Sequence, residues 1–147
     1  MTGIKKGTCN GLQCLDQAKC AQPCWGEDKL KVNRCYQANW WDALNGPGSA
    51  KCADGFYMAG VYRSKCLSLY CIQMGLCCSI ESSRWDKCGK KNWSGELERD
   101  NSWASVPSTG GGASTPVGFM TGIERAGLSG GVEDLNFVNY CGFKRTD

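Results

Sequence analysis

The stretch CYQANW, from Cys35 to Trp40, returns as CGKKNW from Cys88 to Trp93. A single Asn-Trp pair arises easily by chance, so the reading depends on the residues downstream of each copy. GFYMAGVYRS (Gly55 to Ser64) faces GFMTGIERA (Gly118 to Ala126). Met58, Gly60 and Arg63 align with Met120, Gly122 and Arg125; Tyr57 aligns with Phe119 and Val61 with Ile123. Further on, LYCIQMGLCC (Leu69 to Cys78) faces VEDLNFVNYC (Val132 to Cys141), with one inserted residue between Arg125 and Val132. Three blocks in one order mark a repeated structural unit, 35–78 and 88–141. The extra length of the second copy is SVPSTGGGASTP, Ser105 to Pro116, which reads as a surface loop where insertion costs little.

Cysteine supplies the framework. There are 12 in 147 residues, an even number at irregular spacings. Chains of this kind bury little apolar surface and rely on covalent staples, so six disulfides in an oxidising compartment are expected. Both copies open and close with cysteine, and equivalent positions should bond equivalently. That predicts Cys35–Cys78 and Cys88–Cys141. Cys52, Cys66, Cys71 and Cys77 have no cysteine counterparts in the second copy, so they should pair among themselves. Cys9, Cys14, Cys20 and Cys24 form the remaining group. The pairing inside each group of four stays open, and the neighbours Cys77 and Cys78 are interchangeable in this reading.

Local pattern favours strands. In YMAGVYR, Tyr57, Ala59, Val61 and Arg63 share one face and Met58, Gly60 and Tyr62 the other. Ile72, Met74 and Leu76 alternate likewise, and Leu135 falls with Phe137. The glycine of each M-x-G segment predicts a bulge or a close backbone approach. GLQCLDQAKCAQ, with Leu12, Leu15 and Lys19 on one side, is the best helix candidate. The expected fold is mostly β and disulfide-rich: two tandem antiparallel β repeats with pseudo-two-fold symmetry, plus an N-terminal cysteine-rich cap over 1–34, all packed as one compact domain.

Charge and composition limit function. Net charge is +3, and the basic pairs Lys5-Lys6, Lys90-Lys91 and Lys144-Arg145 are too short for a nucleic-acid stripe. No apolar run approaches the ~20 residues of a membrane helix. Met1-Thr2-Gly3-Ile4 reads as the start of a mature chain whose leader has been removed. Asn92-Trp93-Ser94 fits a glycosylation acceptor, in keeping with secretion. With no His and no Cys-x-x-Cys, the usual zinc pattern is missing, and no metal or cofactor is expected.

The absence of His also removes a Ser-His or Cys-His nucleophile. Carboxylates remain: Glu133 with Asp134, Glu124, and Glu96 with Glu98. They sit among ordinary surface charge, and no enzymatic role is expected. Six tryptophans are more informative. Trp40 and Trp93 recur and read as core; Trp41 and Trp103 read as surface, where an aromatic anchors a ligand. Arg63 and Arg125 recur at the end of the M-x-G strand, either as structural partners of a loop or as ligand contacts. The candidate ligand-binding set is Trp41, Tyr62, Arg63, Trp103, Glu124 and Arg125.

The order Trp, Cys-x-x-Gly-x-x-x-x-Gly-x-x-(Arg/Ser), then an aromatic strand ending in Cys-Cys, is carried by Trp41, CADGFYMAGVYRS and LYCIQMGLCC, and more loosely by GFMTGIER with LNFVNYC. This resembles dermatopontin-like extracellular proteins over 35–141. The resemblance implies a secreted, non-catalytic β protein of the extracellular matrix, with carbohydrate-binding, agglutinating forms among invertebrate relatives. The leading expectation is a secreted, lectin-like binding module whose partners are glycans or extracellular proteins, with self-association into a homo-oligomer allowed by the repeat. A structural or adhesive matrix component is the second reading, and a secreted toxin or inhibitor the third.

Overall fold

The computed structural model describes residues 1–9, 11–66, 68–107, 118–129 and 131–146. In chain order the strands are β1 Gly3–Lys6, β2 Leu15–Lys19, β3 Cys24–Trp25, β4 Asp28–Lys29, β5 Val32–Asn39, β6 Gly48–Lys51, β7 Phe56–Arg63, β8 Ile72–Ile80, β9 Ser83–Asn92, β10 Ser102–Ser105, β11 Phe119–Arg125 and β12 Phe137–Arg145. A single helical turn, α1, covers Ser94–Leu97. All pairings are antiparallel, in the orders β10-β1-β2, β5-β8-β7 and β6-β11-β12-β9, with the small hairpin β3-β4 apart. The protein is mostly β and disulfide-rich, as its composition predicts. Most of the Gly-rich stretch Ser105 to Pro116 lies outside the described residues.

Three hairpins share one plan: β1–β2, β7–β8 and β11–β12. Each turns through a 3-10 segment, at Leu12–Cys14, Leu69–Cys71 and Val132–Asp134. Each turn is closed by a matching bond, Gly7 N–H to Cys14 O (2.8 Å), Ser64 N–H to Cys71 O (2.9 Å) and Ala126 N–H to Asp134 O (3.0 Å). The registers agree as well, with Gly3 opposite Lys19, Gly60 opposite Leu76 and Gly122 opposite Asn139. Among the described residues this hairpin plan is found three times, and Met1–Lys19 supplies one of them.

The helix expected over Gly11–Gln22 does not form. Leu12 is buried within the 3-10 turn, and Leu15–Lys19 pair with β1 instead. A segment this short gains too few internal bonds to offset helix nucleation, whereas strand pairing satisfies its backbone directly. The glycines of the M-x-G segments do mark bulges. Register shifts between Met58 and Gly60, and between Met120 and Gly122. The bulge breaks the simple alternation, so Met58 is buried and Tyr62, two residues past Gly60, is exposed.

Adjacent residues at each bulge feed two cores. Met58 and Met120 enter the main cluster with Trp40, Trp93, Leu69 and Leu135. Tyr57 and Phe119 enter a second cluster with Leu30, Ile80 and Phe143. Burial on both faces is what lets strands this short hold together.

The disulfides are Cys9–Cys14, Cys35–Cys78, Cys52–Cys77, Cys66–Cys71 and Cys88–Cys141. The two bridges that close the copies are those expected, and the open group resolves as 52–77 and 66–71. Cys20 and Cys24 are unbridged, so five bonds replace the expected six. Cys20 comes directly after β2, while Cys24 opens the separate β3-β4 hairpin and pairs in register with Lys29.

Candidate functional site

The repeated Asn-Trp motif is a turn that sinks an indole. Asn39 Oδ1 accepts the Trp41 amide (3.0 Å), and Asn92 Oδ1 accepts the Ser94 amide (3.0 Å). In each case the Trp between them drops into the core. Trp40 N–H donates to Gln73 O and Trp93 N–H to Asn136 O, both at 2.9 Å. Their indole N–H groups reach Lys51 O (3.3 Å) and Leu135 O (2.6 Å). Both tryptophans are therefore structural, as the recurrence suggests.

The turn that buries Trp40 leaves Trp41 outside, 62% exposed. Trp41 lies just beyond the row formed by Asn39, Met74 and Tyr62 across β5, β8 and β7. The next row is Gln37, Leu76 and Gly60. Side chains two residues apart share a face of a strand, so Tyr62, Met74 and Leu76 line one outer surface. Tyr62 is 53% exposed, and Leu76 is also exposed. Gly60 leaves open space beside Leu76. The result is an apolar, aromatic-bordered surface flanked by the amides Gln37 and Asn39. Such a surface stacks on a flat apolar face while neighbouring amides hydrogen-bond polar groups. Leu76 was visible in the sequence only as part of the Ile72, Met74, Leu76 alternation. Ile72 leaves that set for the main core, because the register shifts between Tyr62 and Arg63.

The other candidates lie elsewhere. Arg125 is buried and donates to Gly127 O (3.0 Å) and Leu44 O (2.8 Å), with Asp134 at 3.6 Å. Glu124 is partly buried between Lys90 (2.6 Å) and Lys51 (3.5 Å), and Asn139 donates to it at 3.4 Å. Burial alone would raise its carboxyl, but the hydrogen bonds from Lys90 and Asn139 and the two ammonium charges hold it below its ordinary value. Trp103 is partly buried under Lys19, whose ammonium lies 4.9 Å from the ring centre. Arg63 is exposed at the end of β7. Asn92 is exposed, with the Ser94 hydroxyl donating to its Oδ1 at 2.6 Å. Of the six ligand candidates, only Trp41 and Tyr62 border the outer face of one sheet; Arg63 adjoins Tyr62 in β7.

The carboxylates are dispersed. Glu96 accepts from Lys91 at 2.8 Å, Glu133 from Ser129 at 2.8 Å, and Asp134 faces Arg125. Among the described residues no group of three His, Cys, Asp or Glu side chains could hold a metal. Among them, too, no helix is long and apolar enough to cross a membrane. Comparison with protein families, with curated proteins and with solved structures yields no match.

Proposed function

We propose that this is a secreted, non-enzymatic binding module that recognises glycans or extracellular proteins through the outer face of β5-β8-β7. The carrying observation is that exposed Tyr62 lies in the Asn39-Met74-Tyr62 row of one apolar strand surface and that exposed Trp41 follows Asn39 by two residues. Large aromatics are expensive to leave in water, and a rigid, disulfide-stapled sheet presents them with little ordering cost on binding. Five disulfides are consistent with an extracellular setting. The resemblance of CADGFYMAGVYRS and LYCIQMGLCC to dermatopontin-like proteins supports the same reading.

The test is a glycan array, together with immobilised matrix proteins, probed with the wild type and with the Trp41→Ala/Tyr62→Ala double variant. Loss of these anchors should weaken binding by about tenfold or more. Binding of no glycan or matrix protein by the wild type, or unchanged binding by a folded double variant, overturns the proposal.

A further inference from the structure

The segments joining the hairpins occupy two equivalent seats. In the first, Trp40 packs on Gly75, and Ala50 in β6 lies opposite Ile123. Cys52 N–H then donates to Thr121 O at 2.9 Å, and Arg125 grips Leu44 O upstream of β6. In the second, Trp93 packs in the same core, and Ala104 in β10 lies opposite Ile4. Val106 N–H donates to Thr2 O at 2.9 Å, and Lys6 Nζ holds Asp100 upstream of β10 at 3.1 Å. Both alanines are fully buried.

The registers define a third seat, between β2 and β7. Ala18 takes the place of Gly75 and Val138, and Val61 that of Ile4 and Ile123. Among the described residues, β2 is paired only with β1 and β7 only with β8. The consequence is visible in exposure. Val138 and Ile123 are 0% and 3% exposed, whereas Val61 is 45% exposed and Ala18 is also exposed. A groove of about 480 Å³ runs between them, floored by Met1, Met58, Met120 and Leu135. Arg63, the counterpart of Lys6, makes no ion pair among the described residues. Cys20, the counterpart of Cys77 by register, is unbridged, whereas Cys77 is joined to Cys52 at the end of the first segment.

We infer that this groove is a docking site for an extended segment of another polypeptide, built like Asn92–Val106. Its Trp enters the groove against Ala18. Its strand adds antiparallel to β7 with a small residue opposite Val61, and an upstream carboxylate meets Arg63. Both occupied seats hold a buried indole and a fully buried alanine, and the second adds a carboxylate, Asp100, on its basic residue, Lys6. Main-chain bonds to a free strand edge give affinity, and the side-chain positions give selectivity. This site is the inner groove and edge of β7, separate from the outer face proposed above, and neither reading depends on the other.

The probe is a fluorescein-labelled synthetic peptide of residues Lys90–Pro107, which contains no cysteine. Fluorescence anisotropy with the intact protein should show saturable binding. Ala18→Arg or Val61→Glu in the protein should weaken it at least about tenfold, as should Trp93→Ala or Ala104→Arg in the peptide. Asp100→Arg in the peptide should weaken binding to the wild type and recover on Arg63→Glu protein. Ala18 and Val61 are exposed, so these variants should fold, and Trp41→Ala/Tyr62→Ala protein should bind the peptide normally. Absence of binding, or binding indifferent to Ala18→Arg and Val61→Glu, overturns the inference. So does hydrogen exchange showing the Val61 amide region already protected in the free monomer, or light scattering showing a dimer that Ala18→Arg dissociates.

Discussion

Gly75 lies directly beneath the indole of Trp40, so close that a methyl group on Gly75 would overlap the six-membered ring. The contact explains why a strand otherwise rich in large residues, IQMGLCC, carries glycine at its centre. Gly75→Ala should destabilise the fold by about 1–3 kcal/mol through overpacking, because neither the indole nor the strand has room to move. Gly95→Ala is the control. Its methyl meets nothing within 4 Å, and it sits in α1, where alanine is favoured. Thermal unfolding should show a lowered midpoint for the first variant and an unchanged or raised one for the second.

Arg125 and Arg63 stand at the same point of their hairpins with opposite surroundings. Arg125 is buried against two carbonyls and Asp134, while Arg63 faces solvent. Arg125→Met removes the guanidinium beside a buried carboxylate and should cost about 3–5 kcal/mol. Arg63→Met should change stability by less than about 0.5 kcal/mol. Denaturant titration of both variants checks this; equal losses would mean that Arg63 is also built into the fold.

The residues that repeat in full were the legible ones. The recurring Asn-Trp pointed to two buried indoles, each M-x-G to a bulge or a close backbone approach, and the cysteines that open and close each copy to two bridges, because a short motif can carry each of these local demands. The first hairpin was harder to see. Met1, Gly3 and Ile4 match Met120, Gly122 and Ile123, but residues 1–34 carry no Cys-x-x-x-Asn-Trp. Without that marker, Leu12 and Leu15 at a spacing of three look helical. The different fates of Arg63 and Arg125 were invisible for another reason. Which hairpin receives a covering strand depends on chain order, with β6 and β10 each pairing with a hairpin distant in sequence rather than with the strand they precede. Leu44, the partner of Arg125, lies 81 residues away in sequence.

The bridges differ in the length of chain they constrain. Cys88–Cys141 spans 53 residues and Cys9–Cys14 spans 5. In the chain-entropy description, replacing both cysteines of the long bridge by alanine should cost about 4 kcal/mol, and of the short one about 2 kcal/mol. Peptide mapping after alkylation without reduction should label Cys20 and Cys24 alone. Label at Cys35, Cys78, Cys88 or Cys141 would refute the arrangement.

Glu124 gives the protein a defined response to acid. Lys90 and Lys51 favour its charged form, so its carboxyl titrates below the ordinary 4.5 in the folded chain. A group whose folded value is depressed contributes stability above its unfolded value and loses that contribution as pH falls through the folded one. The contribution should therefore be complete above about pH 5 and disappear progressively below pH 4.5. Glu124→Gln keeps the shape and a hydrogen bond to Asn139 but carries no charge. It should lower stability at neutral pH, and the gap to the wild type should close as the pH is taken below 4.5. Urea midpoints measured from about pH 7 to about pH 3 report this directly. A gap that stays constant across the range would show that Glu124 matters by packing and not by its ion pairs with β9 and β6.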